Sequence, residues 1–92
     1  MSSDLSRDFL IVNKRGLHAR ASAKFVTMVE TFDAAIKVSK DGTTVGGTSI
    51  MGLMMLAAST GCSIRVAASG NQAIEALDAL ERLVADKFGE EA

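Results

Sequence analysis

The 92-residue sequence contains no proline, tryptophan or tyrosine, and only one cysteine and one histidine. Each scarcity removes a class of function. A lone Cys62 cannot close an internal disulfide or build a multi-cysteine zinc site, so it reads as a small apolar residue at the start of a strand, with a redox role as the alternative. Phenylalanine, at four positions, is the only aromatic, and no block of Lys or Arg occurs. The stacking platforms and basic footprint of nucleic-acid binders are therefore missing. Ten basic and eleven acidic side chains give a formal charge of −1, which also argues against nucleic acid as the main partner. With one histidine and no evident Ser/His/acid constellation, an independent hydrolase is disfavoured. No cofactor or metal is expected. The most apolar stretch, Ile50 to Ala58, falls far short of the roughly twenty residues needed to cross a bilayer, so membrane insertion is not expected. Met1 to Asp8 is polar, without the basic-then-apolar order of a secretory signal, and a cytoplasmic protein is expected.

What is present suits one small globule. Hydrophobic residues make up 48% and charged residues 23%, ordinary soluble usage, and the missing proline leaves helical patterns unbroken. A single domain over residues 1–92, with its core from about 7 to 88, is expected. Phe9 to Val12 reads as a strand entering a loop at Asn13 to Gly16. A helix follows from Ala19, with Phe25, Val26, Val29 and Phe32 as its buried stripe and Lys24, Thr27 and Glu30 on the exposed side. Ile36 and Val38 alternate with Lys37 and Ser39, predicting a strand over 35–40, and Asp41-Gly42 is a hairpin turn that returns Thr43 to Val45 antiparallel. Thr48 and Ser49 offer capping hydroxyls to a short helix from Ile50 to Ala57. Ile64, Val66 and Ala68 alternate in a further strand. Asn71 is the expected N-cap of a long helix in which Ile74, Leu77, Leu80, Val84 and Phe88 keep helical spacing. The order βαββαβα gives an α+β fold with four short strands and one helix-covered sheet face; a ferredoxin-like layout competes on pattern alone.

The most informative segment is Gly16-Leu17-His18-Ala19-Arg20. It sets a titratable nucleophile at a helix N-terminus, where unpaired backbone N–H groups favour an anion. Arg20 adds a guanidinium whose planar fork matches a phosphate. Nucleophile, backbone cradle and counter-charge lie within five residues.

Gly16-Leu17-His18-Ala19-Arg20-Ala21-Ser22-Ala23 and Thr48-Ser49-Ile50-Met51-Gly52-Leu53-Met54, with the later Gly61 and Gly70, resemble the histidine-containing phosphocarrier family of the bacterial phosphoenolpyruvate-dependent phosphotransferase system. The resemblance runs from about Phe9 to Val84. It implies an open-faced, mostly antiparallel β-sandwich. It further implies a monomeric carrier, not an autonomous catalyst, that takes a phosphoryl group on His18 from phosphorylated enzyme I and passes it to an enzyme IIA-type acceptor. In the family the δ nitrogen carries the phosphate, here pointing toward the backbone N–H groups of Ala19 and Arg20, with Arg20 neutralising charge. Ser49 matches the family's regulatory serine, the target of a dedicated kinase/phosphorylase, and Ile50, Met51 and Met54 match partner-contact positions. Two departures stand out: Ala21 replaces a common proline, a feature of the nitrogen-related or regulatory branch, and Thr48 stands where a basic residue often precedes the serine. A regulatory binding module of the same fold, controlled by phosphorylation at His18 or Ser49, is the alternative function. A small-ligand or RNA-binding module is a third, from topology alone.

Overall fold

Period-two alternation builds the strands of this chain, and spacings of three and four build its helices. The computed structural model describes residues 5–92. Its order is β1 (Leu5–Leu10), α1 (Ala19–Val29), β2 (Ala35–Lys40), β3 (Thr43–Gly46), α2 (Ile50–Met55), β4 (Ser63–Ser69) and α3 (Ala73–Ala85), then a 3₁₀ turn at Lys87–Gly89. The sheet runs β1-β4-β2-β3 with every neighbouring pair antiparallel. Strands β4 and β2 are central, unlike the ferredoxin-like competitor, whose central strands are its first and third.

Ile36 and Val38 of β2 and Ile64, Val66 and Ala68 of β4 are buried under the helices, while Lys37 and Arg65 face outward. Phe25, Val26 and Val29 of α1 and Leu77, Leu80 and Val84 of α3 close over them. Full burial of a side chain such as Phe25 is worth about 1.5–3 kcal/mol. Asp41 and Gly42 take φ of 51° and 84°, the paired left-handed conformation of a tight hairpin. Arg7, on the helix-facing side of β1, bridges to Asp78 and Glu81 of α3 at 2.7 and 2.8 Å. No helix among the described residues is long and apolar enough to cross a membrane.

Several expectations shift. β1 spans Leu5–Leu10 instead of Phe9 to Val12, because the pairing with β4 begins at Leu5 opposite Ala68. Ile11 continues only by single bonds, its N–H donating to the Cys62 carbonyl and its carbonyl accepting from Gly61. Cys62 itself is half-buried just ahead of β4. Helix α2 stops at Met55, and Ala57 has turned left-handed at φ 53°. Asn71 is not the cap of α3. That position is Gln72, without a side-chain cap bond; the Asn71 amide donates to Asp33 Oδ2 at 2.9 Å and Gln72 Oε1 accepts from the Asp33 N–H at 2.7 Å. Ile74 is 57% exposed, because Ala73 and Ala76 share the buried face with Leu77, Leu80 and Val84 and turn Ile74 outward. Phe88 is fully buried but lies outside α3; Lys87 and Phe88, at φ 57° and 55°, fold the chain back so that its ring re-enters the core. The reading that Met1 to Asp8 carries no secretory signal falls partly on Met1–Asp4, outside the described residues.

Candidate functional site

A fastened loop, buried at Asn13, Gly16 and Leu17, delivers His18 to the start of α1. Gly16 takes φ 65°, and a Cβ there would collide with the Ala58 carbonyl, so both the conformation and the close approach require glycine. The neighbouring Leu17 N–H donates to that same Ala58 carbonyl at 2.9 Å, fixing the loop to the connection after α2. Leu17 is buried. Ser22, also buried, donates its hydroxyl to the Leu17 carbonyl at 3.3 Å and its N–H to the His18 carbonyl at 2.9 Å. The backbone entering the helix is thereby held on both sides.

His18 is itself the N-cap, with an extended backbone at φ −75° and ψ −179°. Its Nδ1 accepts the Arg20 backbone N–H at 3.3 Å. A phosphoryl group on that nitrogen would meet the same N–H at the helix's positive end. Arg20 is exposed, free to bring its guanidinium to an anion here.

The other face of the ring meets a partner that no local sequence signal discloses. His18 Nε2 contacts Glu90 Oε2, and both side chains are 16% exposed. Glu90 Oε1 accepts from the Asn13 amide at 3.0 Å, and that amide also donates to the Gly16 carbonyl at 2.9 Å. Asn13 is fully buried, and its Oδ1 has no hydrogen-bond partner among the described residues. The Asn13 bond holds the Glu90 carboxyl below its ordinary range; burial opposes this, while the His18 bond and the charges of His18 and Arg15 add to it. These contacts fix the tautomer. A backbone amide can only donate, so the long Arg20 contact of 3.3 Å favours the lone pair on Nδ1 without enforcing it; the ionised carboxylate can only accept, and its contact holds the proton on Nε2.

Glu90 reaches this place because the chain folds back after α3. Phe88 plugs the core, and Lys24 of α1 donates to the Phe88 carbonyl at 2.7 Å. Lys14, Arg15, Arg20 and Lys24 then surround Gly89 and Glu90 in a shallow basin of about 410 Å³. The sequence gives no net basic bias, yet four cations line this basin together with Glu90 and Glu91, and Glu90 in turn touches His18.

Ser49 caps α2, its hydroxyl accepting the Gly52 N–H at 2.9 Å, and stays exposed. Of the two candidate capping hydroxyls, Ser49 makes this bond. Ile50, Met51 and Met54 are 40%, 69% and 38% exposed, and Met55, 76% exposed, extends the same apolar surface. Helices α1 and α2 pack against each other, so this surface belongs to the same side of the sheet as the His18 helix. No cluster of metal-ligating side chains occurs among the described residues.

A family model described as the phosphorylation site of the HPr component of the phosphotransferase system matches residues 5–86. A phosphocarrier protein HPr from Cupriavidus necator is 48% identical over 86 residues, covering 94% of this chain and 97% of its own. A crystal structure of HPr from Thermoanaerobacter tengcongensis superposes with a TM-score of 0.90 at 42% identity, covering 96% of this chain and 99% of that one. A second structure from that organism, described as an HPr dimer, gives a TM-score of 0.75 at 45% identity, covering 87% and 92%.

Proposed function

The chain belongs to the HPr family of phosphocarriers of the bacterial phosphotransferase system, and from that membership we propose that His18 is the carrier residue, holding the phosphoryl group on Nδ1. The protein carries phosphoryl groups in that system, and the family implies partners such as enzyme I and IIA proteins. One observation carries the assignment to His18: the N-cap imidazole keeps its lone pair on Nδ1, directed at the Arg20 N–H of the helix start. The site accepts and releases. A helix terminus contributes about 0.3–1 kcal/mol, up to ~2 when partly buried, which steadies a phosphoryl group without trapping it. Arg20 neutralises charge during transfer, and the Ala19 and Arg20 N–H groups cradle the phosphate oxygens.

The reaction is a substitution at phosphorus. The Nδ1 lone pair forms the new N–P bond, the bond to the donor breaks, and its electron pair stays with the donor. Passing the group on reverses these events at His18. The carrier is itself a substrate in each cycle, read as a cytoplasmic monomer with one domain over residues 1–92; the dimer described for the T. tengcongensis relative makes sedimentation of this chain the check on the monomer reading. Ile50, Met51 and Met54 form the apolar part of the docking surface, and methionine suits partners of different shape. Ser49, exposed at the start of α2, is a regulatory phosphorylation site for a serine kinase/phosphorylase. Ala21, fully buried in the first turn of α1, keeps the helix start without the restriction of proline and supports a nitrogen-related acceptor.

The test is transfer from phosphoenolpyruvate through enzyme I of the sugar and nitrogen branches in parallel. Acid-labile, base-stable phosphate should form, faster with the matching branch. Failure to label with either would overturn the His18 assignment.

A further inference from the structure

We propose that Glu90 is a positioning residue for phosphoryl transfer, holding the His18 ring with its proton on Nε2 and answering the positive charge the ring gains when Nδ1 is phosphorylated. The inference rests on His18 being the carrier residue and adds the group that acts on its far nitrogen.

Three observations carry it. The first is the contact itself: Glu90 Oε2 meets Nε2 while Nδ1, at the opposite side of the ring, accepts the Arg20 N–H. The second is that the carboxylate is held from behind. Oε1 accepts from the buried Asn13 amide, which is tied to the Gly16 carbonyl on the loop that delivers His18. A carboxylate fixed at both oxygens cannot follow the ring if it turns, so it defines one orientation. The third is the anchorage of the segment. Phe88 is fully buried two residues earlier, with its carbonyl bonded to Lys24, so Glu90 rests on a fixed turn.

The chemistry requires a group at this place. Attack by a neutral imidazole through Nδ1 leaves a ring with phosphorus on one nitrogen and hydrogen on the other, which is a cation. No proton needs to leave. A carboxylate on the Nε2–H stabilises that cation without removing its proton, as the acid of a serine-hydrolase triad orients its histidine and supports the imidazolium. The same cation is the good leaving group when the phosphoryl group departs, so Glu90 serves acceptance and donation alike. The Asn13 bond first, and the charge of Arg15 with it, favour the ionised carboxylate while the phosphate's own negative charge develops on the other side of the ring.

Glu90→Ala and Glu90→Gln separate the two roles. Nitrogen-15 spectra of the His18 ring should show the Nε2–H form in the parent and in Glu90→Gln, whose amide oxygen still accepts, and a mixture of tautomers in Glu90→Ala. Single-turnover transfer from phosphorylated enzyme I should slow about tenfold or more in both variants, the size expected for losing a charge-assisted hydrogen bond. Melting curves and amide spectra establish that each variant is folded; a purely structural role would lower stability and leave the tautomer unchanged. Parent-like rates in both folded variants, or a Glu90→Ala ring that stays wholly in the Nε2–H form, would overturn the proposal while leaving His18 as carrier, since the histidine would still be labelled. An unlabelled histidine in the parent would instead remove the carrier reading beneath it.

Discussion

Glu90 touches the imidazole of His18 across 72 positions of sequence, and the same carboxylate is bonded to Asn13 on the loop that leads into that histidine. The site is therefore closed by three separate parts of the chain: the loop after β1, the start of α1 and the turn after α3. Its stability and chemistry are coupled through one carboxylate, which has a measurable pH signature. Glu90 is held below its ordinary value, first by Asn13. A carboxyl depressed in the folded state contributes stability that is present above its unfolded value, about 4.3, and is lost as pH falls through the lower folded value. The difference in melting temperature between the parent and Glu90→Gln should narrow as pH falls below about 4.3. Asn13→Ala removes the largest cause, so a carbon-13 titration should find the Glu90 carboxyl moved upward. A value unchanged by that substitution would show that the bond to Asn13 does not hold it.

Gly16→Ala should lower stability by about 1–3 kcal/mol, because alanine at φ 65° is strained and its methyl would press on the Ala58 carbonyl. The damage should reach function as well as folding, since the Leu17 N–H bonds that same carbonyl next to His18. Denaturant melts give the first effect and transfer rates on the folded fraction the second.

The sequence carried the fold's periodic parts well. β2 at Ala35–Lys40, the start of α1 at Ala19 and the Asp41-Gly42 turn lie where alternation, spacing and turn chemistry put them. The errors came where tertiary packing overrides local pattern. Ile74 has the right spacing to join Leu77 and Leu80, but the buried stripe of α3 is set by the alanines at 73 and 76, which a reading weighted toward large side chains passes over. Phe88 also keeps helical spacing, yet two left-handed residues break the helix before it. In the site, His18 and Arg20 were legible because the motif is contiguous. Glu90 was not: it is one of several acidic residues near the end of the sequence, and only the turn at Lys87–Gly89 selects it. Asn13 was visible only as a loop residue, since nothing local announces that its amide is buried.

Ser49→Asp should keep near-parent stability and bind enzyme I more weakly. The new carboxylate sits at the positive end of α2, which tolerates it, but it also sets charge beside the exposed Ile50, Met51 and Met54 surface. Ser49→Ala is the contrasting variant. It loses the bond to the Gly52 N–H and should cost about 0.5–2 kcal/mol, with enzyme I affinity retained. Calorimetric binding beside thermal melts separates the two; equal affinity in Ser49→Asp would contradict a charge switch at this position.

Arg20→Ala should slow transfer about fivefold, the equivalent of ~1 kcal/mol for an exposed charge pair, while His18 remains the labelled residue. The backbone N–H of residue 20 survives the substitution, and its bond to Nδ1 with it. Single-turnover rates in both directions decide whether the guanidinium contributes.

The central claim is that one imidazole carries the phosphoryl group, and the most direct measurement is labelling of His18→Ala by phosphoenolpyruvate and enzyme I, with folding followed by circular dichroism in the same samples. A folded variant that takes up no acid-labile phosphate, beside a parent whose label maps to His18, is the predicted result. Labelling of the folded variant at the parent rate would contradict it.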